Sequence, residues 1–135
     1  FGTNHNSYQI GEVGGVARYF LVMHGGVHLR LHDPMTLKGF TTGHYTAKKD
    51  EVQEAIKAMY PIRFDEYKGD VEGDLYDALA LANIMRLEMQ VRQGEVTLKD
   101  LPEHQRAIFL RTTKSFKTNL LDRPFTECDG FSAVT

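Results

Sequence analysis

The chain has 135 residues, 41% hydrophobic and 25% charged, with a formal net charge of −2. That is enough for one domain with a sizeable core, and too balanced for a protein that holds nucleic acid by overall charge, so any basic surface has to be local. A single cysteine, Cys128, excludes an intrachain disulfide and fits a reducing, cytosolic setting, and no apolar run approaches the roughly 20 residues that span a bilayer.

From the N-terminus, "FGTNHNS" reads as a polar loop in which Asn6 or Ser7 caps a helix. Between Tyr8 and His24, Ile10, Val13, Ala17, Phe20 and Leu21 recur at helical spacing, and Gly25 and Gly26 end the helix. "VHLRLH", Val27 to His32, alternates: Val27, Leu29 and Leu31 on one face, His28, Arg30 and His32 on the other. This predicts a half-buried strand. A lone strand leaves its hydrogen-bonding edges unpaired, so it requires a partner from elsewhere. His28 and His32 lie roughly 13 Å apart on such a strand and cannot share a metal.

Pro34 closes the strand, and a loop rich in Lys, Gly and Thr follows. A second helix is predicted over about Ala47 to Met59, with Val52, Ile56 and Met59 on its apolar side. "PIRFDEYKGDVEGD" is an acidic loop, and a third helix over about Asp74 to Gln90 is apolar nearly all round at its start. "LPEHQRAIFLRTTK" reads as a fourth helix with Pro102 near its first turn, and "TECDGFSAVT" as a frayed tail. Tyr8, Tyr19, Phe20 and Phe40 read as packing groups rather than base-stacking ones.

Charge is unevenly spread. Asp65, Glu66, Asp70, Glu72, Asp74 and Asp77 face only Lys68 in their stretch. From His104 to Pro124, Arg106, Arg111, Lys114, Lys117 and Arg123 outweigh Asp122. Asp74 and Asp77, three apart, project from one side of a helix. They suit first a capping pair at a helix start, and then part of a Mg²⁺ site, since that ion prefers carboxylate oxygens and keeps several waters; the two roles are compatible. Lys38, Lys48 and Lys49 suit phosphate contacts. Lys48 and Lys49 also suit a solvated helix face paired with Asp50, Glu51 and Glu54.

In order, the strand, "PMTLKGFTTGHYTAKKDEVQEAI", the acidic loop and "DLYDALALA" resemble the C-terminal half of RuvC-type Holliday junction resolvases, especially their phage relatives. Pro34, Lys38, Gly43, Ala47 and Lys49 match one motif of that family. Asp74, Asp77, Ala78, Leu79 and Ala80 match its closing Asp-x-x-Asp-Ala-Leu-Ala. The match covers roughly Phe1 to Met89 and departs from the family at Gly39, where a second lysine is usual, and at Tyr45, where a second glycine is usual.

The resemblance implies an α/β, ribonuclease H-like fold lacking its N-terminal strands, with residues 1–91 as the C-terminal portion of a nuclease domain; residues 92–135, outside the match, read as a helical basic extension with a frayed tail. It implies a homodimer that cleaves four-way DNA junctions by two-metal phosphodiester hydrolysis, with four carboxylates holding two Mg²⁺ ions and Mn²⁺ as a substitute, in the cytoplasm (the bacterial host's for a phage protein). Asp74 and Asp77 would be metal ligands, and Lys49 would join them at the scissile phosphate. Lys38 and Lys49 would contact branched DNA; His44 and Lys48 in the same stretch, and Arg106, Arg111 and Lys114 in the basic segment outside the match, are candidate DNA contacts on their charge and position alone. Two further carboxylates of the family would lie upstream of Phe1, so the chain alone is expected to be inactive, with the upstream segment of the same protein as its partner. The alternative is a non-catalytic module that binds branched DNA or serves a structural role. Another ribonuclease H-like nuclease shares the metal chemistry, and the Lys38 to Lys49 pattern argues against it.

Overall fold

The computed structural model describes residues 3–24, 27, 29–114 and 116–125, with 3–11 described by backbone alone. His28, Cys128, the Gly25-Gly26 pair and the tail 126–135 lie outside the described residues. Every regular element is helical: α1 (Thr3–His24), α2 (Pro34–Thr42), α3 (Lys49–Met59), α4 (Asp70–Arg92) and α5 (Glu103–Leu110), with short 3₁₀ turns at Leu98–Asp100 and Leu120–Asp122.

This overturns the expected α/β, ribonuclease H-like fold, because the described residues contain no strand at all. The alternation in "VHLRLH" was its local basis. Residues 29–33 have no regular structure, and Leu31 is exposed. Alternation makes a strand only when a neighbouring strand satisfies the backbone N–H and C=O groups, and among the described residues none does.

The segment read as a loop after Pro34 is α2. Asp33 is its N-cap: the Thr36 N–H donates to Asp33 Oδ1 (2.7 Å) and the Thr36 hydroxyl to Oδ2 (3.0 Å). Pro34 at the first helical position loses nothing, since an N–H there has no helical partner. The helix ends at Gly43, whose φ of +83° is left-handed and whose N–H donates to Gly39 O at 2.9 Å. In α3, the Lys48 N–H donates to Glu51 Oε2 at 2.7 Å, and the helix stops at Tyr60 before Pro61.

Helix α4 begins one turn earlier than expected, after Gly69. Asp74 and Asp77 therefore lie inside it, and neither caps it. Nor is its start apolar all round in burial: Tyr76, Ala80, Ile84 and Leu87 are buried, whereas Ala78, Leu81 and Ala82 are exposed.

Two compact units are present. His32–Arg123 forms one, and its core is built by Leu37 and Phe40 of α2, Val52 and Ile56 of α3, Tyr76, Ala80, Ile84 and Leu87 of α4, and Ile108 and Phe109 of α5, closed by Ala47, Leu101 and Leu120. Residues on both sides of position 91 share this core. Phe40 and Phe109 meet edge to face (5.3 Å, 72°), as do Phe64 and Tyr76 (5.0 Å, 70°). Burying a ring such as Phe40 contributes about 1.5–3 kcal/mol. Buried Glu88 is matched by Arg92, whose Nε and Nη2 donate to Glu88 Oε1 at 3.0 and 2.9 Å. Nη2 of Arg92 also donates to Leu120 O at 3.0 Å, tying the last 3₁₀ turn to α4.

The other unit contains α1, the residues up to Leu31, and Pro124 and Phe125. Arg30 Nη1 donates to Pro124 O (3.2 Å) and its guanidinium lies over the Phe125 ring. Residues expected on the apolar face of α1 are not a core face: Val13, Phe20 and Leu21 are exposed, as is Tyr19, which meets Phe20 edge-on.

Candidate functional site

Three helices of the His32–Arg123 unit bring together four of the residues singled out by sequence. Lys38 is in the second turn of α2, Lys49 at the start of α3, and Asp74 and Asp77 are one turn apart in α4. Lys49 reaches across to α4, where its Nζ donates to Asp74 Oδ1 at 2.9 Å. Its stem lies on Gly73: a Cβ there would stand 2.1 Å from Lys49 Cε. The buried glycine is what lets the lysine cross the helix surface.

The electrostatics place the remaining two groups in the same neighbourhood. Burial raises the pKa of Asp77, opposed by the charge of Lys49, assisted by that of Asp74, and opposed again by Lys38; the net direction is upward. Lys49 is pushed up, first by its hydrogen bond to Asp74 and then, against slight desolvation, by the charges of Asp74, Asp77 and Asp70. The cluster therefore has paired cations and anions, with Lys49 at its centre. Both partners of the Lys49–Asp74 pair are well exposed, at 44% and 73% of their side-chain surface, so the bond is exchangeable and contributes little to stability.

As a metal site the cluster offers two carboxylates. No group of three or more His, Cys, Asp or Glu side chains suited to a metal occurs among the described residues. Two carboxylates fit one heavily hydrated Mg²⁺ ion, which is commonly held by one or two such groups plus waters and substrate phosphates. They do not fit two ions.

The other site residues are spread more widely. Lys48 is exposed at the N-cap of α3, and His44 is exposed in the loop after α2, its N–H donating to the Thr42 hydroxyl at 3.1 Å. Arg111 has an internal use: its Nη2 donates to Thr36 Oγ1 at 3.0 Å, and its charge helps keep Asp33 ionised. Arg106 is half-buried in α5, while Lys114 is exposed beyond it. Arg123 stacks over the Phe116 ring at 4.1 Å.

Sequence reasoning passed over Tyr45, treating it only as a departure from a motif. Its ring lies on Gly39, the other departure, so the two positions are one packing feature. Comparison with protein-family models, curated proteins and solved structures gave no match.

Proposed function

We propose that this chain contributes part of a Mg²⁺-dependent endonuclease site that acts on branched DNA, such as a four-way junction. The observation that carries this reading is the convergence of Lys38, Lys49, Asp74 and Asp77 from three helices. Two carboxylates beside two lysines suit a phosphodiester: the lysines take the phosphate oxygens, and the carboxylates take the metal that the phosphate brings or shares. A bound Mg²⁺ would polarise the phosphoryl oxygen and supply an activated water. Lys49 is the exchangeable element, because an incoming anion and a cation on Asp74 both favour its release from the carboxylate. Two carboxylates alone are a sparse donor set, so efficient cleavage calls for further ligands from another segment or subunit.

A second reading is favoured by the Lys49–Asp74 pair itself, which balances the cluster without metal. On that reading the chain binds branched DNA and cleaves nothing.

Gel shifts of a four-way junction and a sequence-matched linear duplex, at fixed salt with and without Ca²⁺, separate these readings. The nuclease reading expects tighter junction binding that is strengthened by Ca²⁺ and loses that strengthening in Asp77→Asn. Binding that ignores divalent metal and falls steeply with salt favours the non-catalytic module. Absence of binding to either DNA removes both.

A further inference from the structure

The Gly39–Tyr45 pair is used by neither reading above. An ideal Cβ on Gly39 would stand 2.7 Å from Tyr45 Cδ1, 2.7 Å from Cε1 and 3.2 Å from Cζ. Those distances describe a point above the plane of the ring; an edge-on approach would put Cζ much farther out than its two neighbours. One face of the ring therefore lies flat on the backbone of α2. Tyr45 is nevertheless 39% exposed, and no other aromatic ring of the described residues packs against it. Gly39 covers part of one ring face, and the side chain is otherwise left among the exposed residues.

The loop holding the ring is built rather than slack. The Thr42 hydroxyl donates to Lys38 O at 2.8 Å and accepts from the His44 N–H, and the Ala47 N–H closes the turn on His44 O at 3.1 Å. Tyr45 is thus fixed in a short turn, with exposed His44 on one side in sequence, exposed Lys48 and Lys49 on the other, and Lys38 next to Gly39. An exposed aromatic ring on a short turn, with three lysines close by in sequence, on or capping the adjoining helices, suits the two chemistries of a single strand: π-faces that stack and phosphates that want positive charge.

We propose that Tyr45, seated on Gly39, is a stacking platform for an unpaired nucleobase. This rests on the reading that the Lys38–Lys49 edge meets DNA, but not on catalysis there. The phosphates of the strand would run along the lysines while one base lies on the exposed ring. Gly39 matters because any side chain there would lift the ring from its seat.

The test is fluorescence anisotropy with the full chain, using a labelled thymidine oligonucleotide and an abasic strand of the same length, at fixed salt in Ca²⁺. The unmodified chain should prefer the base-bearing strand. Tyr45→Ala should weaken that strand by about tenfold and leave the abasic strand unchanged, while Tyr45→Phe, which keeps the face, should stay within about twofold of the parent. Tyr45→Leu keeps apolar bulk on Gly39 without an aromatic face, so it should fold and still show the loss, guarding against collapse of the alanine variant. Equal losses on both strands, or none on either, would overturn the proposal. Binding lost in Lys38→Ala and Lys49→Ala but indifferent to Tyr45 would overturn it while sparing the DNA-binding reading. Failure of the parent to bind either strand would overturn the proposal while leaving the DNA-binding reading to the junction gel shift.

Discussion

Asp77 shows how position changes the chemistry of one side chain. Half-buried on α4, it is raised from the ordinary carboxylate value of 3.8 because burial, together with the like charge of Asp74, outweighs the attraction of Lys49 and Lys38. The folded protein therefore holds this proton to higher pH than the unfolded chain does. Between 3.8 and the raised value the folded state binds more protons, so stability falls as pH rises through that window. Above it, the ionised carboxylate carries a standing penalty. Asp77→Asn removes it, so the variant should melt at a higher temperature than the parent at neutral pH, with the difference fading as pH drops below the ordinary carboxylate range. Thermal melts by circular dichroism across that range check this. A variant less stable at neutral pH would mean that the two lysines outweigh desolvation.

At the scale of elements, α2 is the instructive case. Its start and stop are written in the chain: Asp33 before Pro34, Thr36 three residues on, and Gly43 past the end. The alternation of Val27 to His32 and its closing proline point the other way, to a strand and a loop, where the structure has no regular element over 29–33 and a capped helix from Pro34. Alternation records which side chains are apolar; it does not record whether a second strand lies alongside, and that decides whether a strand exists. The helical spacing of α3 and α4 was legible because a helix satisfies its own backbone. Lys38, Lys49, Asp74 and Asp77 are drawn together in the sequence only by the resemblance, and the crossing of Lys49 over Gly73 and the seat of Tyr45 depend on close approaches that no pattern announces. The cap can be measured. The Thr36 backbone N–H, above all, lowers the pKa of Asp33, so its stabilisation is present above the ordinary pKa of 3.8 and is lost as pH falls through the lowered value. Asp33→Ala should cost about 1 kcal/mol at neutral pH in denaturant unfolding, with the difference closing in acid. An unchanged midpoint would mean that Pro34 and Gly43 alone define the helix.

For the molecule as a whole, the distribution of the core is the argument. Among the residues whose side chains are described, the buried apolar cluster runs from Leu37 to Leu120. The polar ties have the same reach: Arg111 joins the end of α5 to the start of α2, Gln105 donates to Phe40 O at 3.4 Å, and Arg92 holds the last 3₁₀ turn. A segment with its own core and its own long-range hydrogen bonds has what cooperative folding requires. A chain trimmed to His32–Arg123 should therefore keep a helical spectrum and melt in a single cooperative transition. Most of the polar ties span the two ends of that segment, so a trim ending at Arg92 should abolish the transition: it deletes Ile108, Phe109 and Leu120 from the core and the partners of Thr36, Phe40 and Arg92 with them. If the longer trim melts broadly and without cooperativity, the stability of this helical unit comes from outside its own core, and the candidate site, which lies wholly within that unit, depends on the same outside support.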